Sequence, residues 1–140
     1  MKIKTKKVYY CDFCNKHTLS SYYTQKHEKH CTLNPNRECR MCGEKKLDKS
    51  YIKKANLILK DLLKHKKKDS NGIRGDYVEK FNKRLRKEIQ EELECPICTL
   101  AVYRQAGIAL FYWFNWNFKD ECEEYWAKKN KEEEEKDYYL

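Results

Sequence analysis

Between residues 48 and 93 apolar side chains return every three or four positions, and that period sets the expected architecture. Ile52, Ala55, Leu59 and Leu62 mark one side of a helix running from a cap at Asp48 or Ser50 to about Lys67. Val78, Phe81, Leu85 and Ile89 mark one side of a second helix, from about Asp76 to Leu93. The stretch KDSNGIRGD between them holds two glycines and breaks the pattern, so the two helices are expected to form a hairpin. Upstream, Val8 to Tyr10 is β-prone and leads into a turn at Cys11–Cys14 as one arm of a small β-hairpin. From about Leu19 to Cys31 the chain favours helix, with Ser20 or Ser21 as its cap. Downstream, Thr99 to Ile108 reads as a short helix. Phe114, Trp116 and Phe118 then alternate with Asn115 and Asn117, the pattern of a short strand or extended arm with one apolar side. Asp120 with Glu123 makes a capping-box start for a last helix, which ends in the charged run KKNKEEEEKDYYL. The expected fold is mainly α, with a small β-hairpin finger and a central helical hairpin.

Charged residues make up 38% of the chain, so its apolar core is modest for 140 residues and calls for staples. Eight cysteines could supply them. The basic start MKIKTKKVYY lacks the apolar run of a signal peptide, so the expectation is a reducing cytoplasm and metal rather than disulfides. The longest apolar run, Ala106 to Phe114, is about half of the roughly 20 residues that cross a bilayer.

The spacing of the cysteines makes the metal expectation specific. Cys11 and Cys14 flank two residues, which places both thiolates on one side of a tight bend. Twelve residues on comes His27, and Cys31 follows one helical turn later on the same face. His30 competes with Cys31, but thiolate is the softer ligand, so Cys31 is expected as the fourth donor. Cys39 and Cys42 form a second knuckle, and Gly43 after it suits the backbone turn that aims amides at a thiolate. Its other two ligands are Cys95 and Cys98, which the helical hairpin would return to it. Two zinc ions are expected, and both are structural, because four protein ligands leave no open position for substrate. His17 is expected to be exposed, His65 belongs to the cationic run KHKKK, and Cys122 has no partner by spacing. Two domains follow: a Cys-Cys-His-Cys finger over 1–35, and a helical domain over 36–140 closed by the four-cysteine site, with the aromatic segment and an acidic C-terminal helix.

Residues 9–31 resemble the two-cysteine, two-histidine zinc finger, with the last histidine replaced by cysteine and Tyr9 as the aromatic before the first cysteine. The family's aromatic and leucine core positions fall on Thr18 and Thr24, so Leu19, Tyr22 or Tyr23 is expected to fill that small core instead.

Net charge is +9 and unevenly placed. Residues 1–90 hold 25 Lys or Arg against 10 Asp or Glu, whereas residues 91–140 hold 6 against 12. A basic body points to an anionic partner; otherwise the surface is merely solvated, with the acidic tail folded back over the basic face. Lys53, Lys60, Lys64 and Lys67 line the first central helix, and Lys80, Arg84 and Lys87 line the second, together making a phosphate-binding surface. Arg37, Arg40, Arg74 and Arg86 join Arg84 as candidate base or phosphate contacts, and Trp113 and Trp116 as a stacking platform, unless the aromatics serve as core.

Three enzyme classes fail on residues. A His-Asn-His nuclease needs an Asp-His or His-His pair between its knuckles, and only His65 lies there, without such a neighbour. A RING ubiquitin ligase can begin with Cys-Pro-Ile-Cys, but here only Cys122 follows. A zinc deaminase needs His-x-Glu with Pro-Cys-x-x-Cys, and neither is present. The chain is therefore expected not to be an enzyme. Two binding functions remain: a module for DNA or RNA, or a protein-interaction module for a nucleic-acid-processing complex. CTLNPNRECRMCG and CPICTLAVYRQAGI, with the aromatic and helical end that follows, resemble small zinc-binding proteins encoded by bacteriophages. That resemblance implies action in the host cytoplasm on a host nuclease or defence complex, as an inhibitor.

Overall fold

The computed structural model describes residues 1–43, 47–65, 75–108 and 114–139, with side chains to residue 136. Lys67, Arg74 and Trp113 lie outside the described residues. The fold is mostly helical with one two-stranded hairpin, and the chain divides into two compact units, Met1–Leu47 and Asp48–Leu140.

In the first unit, β1 (Tyr9–Tyr10) pairs antiparallel with β2 (His17–Thr18), with Tyr9 opposite Thr18 and Tyr10 opposite His17. Helix α1 (Ser21–His30) follows, capped at Ser20, whose carbonyl accepts from the Thr24 amide at 3.2 Å. The core of this finger corrects the expectation. Leu19, Tyr22 and Tyr23 are all exposed, and Thr24 is the buried residue of α1. Its hydroxyl donates to the Tyr9 carbonyl at 3.1 Å and lies 2.7 Å from that of Thr18. A short side chain that satisfies a strand carbonyl draws helix and hairpin too close together to admit a ring. Thr24→Val, equal in shape, takes away the hydroxyl and should cost about 1–2 kcal/mol, read as a lower melting point of the finger with no change in metal content.

The segment after α1 bonds back to it. Asn34 Nδ2 donates to the Glu28 carbonyl at 2.8 Å, the Glu38 amide donates to the Lys29 carbonyl at 3.0 Å, and Lys29 pairs with Glu38 at 3.3 Å.

In the second unit, α2 (Lys49–Leu63) starts at the expected cap, where Asp48 accepts from the Ser50 amide at 2.9 Å. Helix α3 runs through Gly75–Leu85, a π turn at Arg86–Gln90 and a last turn at Glu91–Leu93. The ring of His65 stacks on Tyr77 at 3.8 Å while Asp61 meets Arg84 at 2.9 Å, so α2 and α3 run antiparallel as the expected hairpin. Ala55, Ile58 and Leu62 from α2 and Phe81, Leu85 and Ile89 from α3 are buried. Helix α4 (Pro96–Gln105) begins three residues before the expected Thr99, with Cys95 as its cap and Pro96 preset for the first turn. It ends on a Schellman pair, Ile108 amide to Tyr103 carbonyl at 2.9 Å and Gly107 amide to Arg104 carbonyl at 3.3 Å. Gly107 sits at φ 81°, where a side chain would be strained.

Residues 114–117 form an extended arm, without strand pairing, in which Phe114 and Trp116 are buried and Asn115 and Asn117 are exposed. Both rings meet Tyr103 edge-on, at 5.2 Å and 5.1 Å, and Gln90 Nε2 donates to the Tyr103 hydroxyl at 2.9 Å. Helix α5 (Phe118–Tyr139) begins earlier than the expected Asp120, because Asn117 Oδ1 accepts from the Asp120 amide at 3.3 Å and takes the cap position. Among the described helices α5 packs on α4 alone, so the acidic tail does not fold back over α2 and α3.

Candidate metal centres and cationic surface

Two groups of four side chains bring one ligand atom each to within 4.8 Å of one another: Cys11, Cys14, His27 and Cys31, and Cys39, Cys42, Cys95 and Cys98. Tetrahedral zinc with Zn–S bonds of about 2.3 Å sets its sulfurs about 3.8 Å apart, so both groups are of a size to hold a metal ion. These are the two quartets expected from the spacing. None of the eight cysteines is in a disulfide.

Local backbone builds the first quartet. The hairpin closes through the Cys11 amide and Lys16 carbonyl at 2.8 Å, which folds Cys11 and Cys14 onto one side of the turn. The Phe13 amide donates to Cys11 Sγ at 3.4 Å and the Lys16 amide to Cys14 Sγ at 3.5 Å, so both sulfurs are held by the backbone of the knuckle turn. Helix α1 delivers His27, whose Nε2 lies 3.2 Å from Cys14 Sγ, and Cys31 follows at its end. Burial first, and then the neighbouring sulfurs of Cys14 and Cys11, push the Cys31 thiol up to about 11. His30 lies outside the quartet, with its Nδ1 2.9 Å from the Glu38 carbonyl.

In the second quartet the Cys39–Cys42 knuckle closes through the Gly43 amide and Cys39 carbonyl at 3.1 Å, with Gly43 at φ 79° as its glycine requires. Cys95 and Cys98 are buried at the head of α4. Glu94, immediately before them, is at φ 58°, a left-handed φ that few side chains adopt. Cys122 is half-buried and belongs to neither quartet; burial, and then Glu121, push its thiol up.

The basic residues divide into two kinds. Lys53 and Lys60 on α2 with Lys64 at its C-cap, Lys80, Arg86 and Lys87 on α3, and Arg40 in the second knuckle are exposed. Arg84 is not a spare cation: it lies 2.9 Å from Asp61 and 3.5 Å from Glu88, tying the helical hairpin and holding the Asp61 carboxyl below its ordinary range. Arg37 and Trp116, at 2% and 7% exposure, cannot serve as surface contacts. The Arg37 amide donates to the Asn34 carbonyl in a turn that carries the residue inward, and Trp116 is part of the Tyr103 cluster. Between α2 and α3 lies a groove of about 330 Å³, bordered by Lys64, His65, Tyr77, Lys80 and Arg84.

Sequence reasoning missed the rings on the outside of the finger. Tyr10 packs across the hairpin on His17, with centroids 5.0 Å apart, and faces solvent with Tyr22 and Tyr23. Threonines at both core positions were the available signal.

No protein family, curated protein or solved structure matches the chain. Among the described residues, no helix is long and apolar enough to cross a membrane.

Proposed function

We propose that both quartets hold structural zinc and that the protein is a non-enzymatic module that binds nucleic acid. Three thiolates with an imidazole, and four thiolates, are donor sets suited to zinc, and each set fills a tetrahedral shell. The observation that carries the nucleic-acid reading is the pair of exposed cation rows on adjacent antiparallel helices, Lys53 and Lys60 with the C-cap Lys64 on one and Lys80, Arg86 and Lys87 on the other. Such rows match phosphates without reading bases, so affinity should fall steeply with salt.

Binding of a fluorescent 20-base-pair duplex, titrated between 50 and 300 mM salt, tests this reading. Each phosphate contact adds about −0.9 to the slope of log K against log salt. Lys60→Gln with Lys80→Gln should flatten that slope by about two. A flat salt response, or the same slope in the variant, would refute the assignment of these rows.

A second reading rests on α5, which carries Trp126 half exposed and the acidic run Glu132–Glu135 on a helix that packs on α4 alone. That surface suits a protein-interaction module of the phage type, acting in the host cytoplasm on a nucleic-acid enzyme. A stoichiometric protein partner that survives nuclease treatment and high salt would favour it.

A further inference from the structure

Resting on the nucleic-acid reading, we infer that the outer face of the finger hairpin is a stacking platform for unpaired bases, which makes single strands the preferred ligand. The finger has its rings on the outside. Its interior is the Thr18–Thr24 hydroxyl pair and the quartet, so the aromatics of a small unit, normally its core, are left in water. Tyr10 is 62% exposed, and Tyr22 and Tyr23 are 64% and 63% exposed.

The register explains why Tyr10 in particular is presented. Residues facing one another across the strands share a side of the hairpin, and successive residues alternate sides. Thr18, opposite Tyr9, turns toward Thr24 of α1, so Tyr10 and His17 lie on the side away from the helix. Their rings tilt 41° against each other at 5.0 Å, which fixes the tyrosine in place at little entropic cost while leaving its outer face open.

The charge around this pair identifies the occupant. Residues 1–47 hold 11 Lys or Arg against 4 Asp or Glu. Lys6 and Lys7 lead directly into β1, and Lys16 precedes His17, all exposed. Rings for bases beside cations for phosphates are the two components of single-strand binding surfaces. In a duplex the base faces are already stacked on one another, so the rings add affinity only for unpaired strands.

The test uses the zinc-loaded full chain with a fluorescent 12-nucleotide single-stranded DNA of mixed sequence and the corresponding 12-base-pair duplex. Tyr10→Ala should weaken single-strand binding on the order of tenfold and leave the duplex affinity and zinc content unchanged. Tyr10→Phe, which keeps the ring, should bind the single strand like the parent. Unchanged single-strand affinity in Tyr10→Ala, or equal losses on both probes, overturns the platform while leaving the nucleic-acid reading in place. Equal displacement of the single strand by poly-glutamate of matched charge would assign the face to an acidic protein and also overturns the proposal. Failure of the parent protein to bind either probe defeats the wider reading with it.

Discussion

Cys39→Ser is expected to unfold most of the chain and lower its zinc content from two ions to one, whereas Cys11→Ser should loosen only the finger. Zinc bound by such sites contributes about 10–16 kcal/mol of apparent folding free energy at neutral pH, against a net stability of about 5–15 kcal/mol for a whole domain. A serine hydroxyl is a poor substitute for thiolate on zinc. The quartet of Cys39 includes Cys95 and Cys98, both buried at the head of α4, whose Ala101, Val102 and Tyr103 form the middle of the second unit's core. The quartet of Cys11 ends at Cys31 and lies within the first unit. Hydrogen exchange read by peptide mass would separate the two outcomes. Protection lost from Asp48 onward but kept in the finger in Cys39→Ser, and lost only before Leu47 in Cys11→Ser, is the expected pattern. Wild-type protection in both variants would refute the structural role of the metals.

Tyr103→Ala should cost about 3–5 kcal/mol in urea unfolding of the zinc-loaded protein. Tyr103 is fully buried, and the rings of Phe114 and Trp116 stand edge-on to it, so its removal leaves a cavity that rigid neighbours cannot fill. Tyr103→Phe keeps the ring but deprives Gln90 of its acceptor, at about 1 kcal/mol. The hydroxyl adds a pH signature. Burial pushes the phenol above its ordinary range, so the folded state holds its proton after the unfolded chain has lost it. Stability from this group is therefore complete below the ordinary tyrosine value of about 10 and declines as pH rises past it, at about 1.4 kcal/mol per pH unit. Tyr103→Phe should flatten that decline. A loss below about 1 kcal/mol in Tyr103→Ala would mean that the arm carrying Phe114 and Trp116 is not packed on α4.

What could be read from the sequence was what depends on spacing. Ligand intervals in a knuckle and on a helix are fixed by backbone geometry, so both quartets followed from position alone. The apolar period placed the hairpin helices, and Asp48 took the helix-start position that its chemistry favours. What depends on which neighbour arrives was not readable. Arg84 looks like its neighbours in a basic run, yet Asp61, 23 residues earlier, takes it up. Arg37 and Trp116 have the chemistry of contact residues but are drawn inside by a turn and by a ring cluster. The start of α5 was decided by Asn117, a cap that competes with Asp120 and wins because it is one turn closer to the buried arm.

The two quartets differ in how much chain each must close. Cys11 to Cys31 spans 20 residues, and Cys39 to Cys98 spans 59. Loop closure over the longer span costs about 1 kcal/mol more, and it also awaits formation of the α2–α3 hairpin. During synthesis the finger can capture its ion as soon as Cys31 has emerged, while the second knuckle stays open until Cys98 arrives. With zinc in both quartets, as proposed, scarcity of the metal would strand the chain with its finger mature and its helical part unfinished, giving the helical part a steeper dependence on metal supply than the finger it follows.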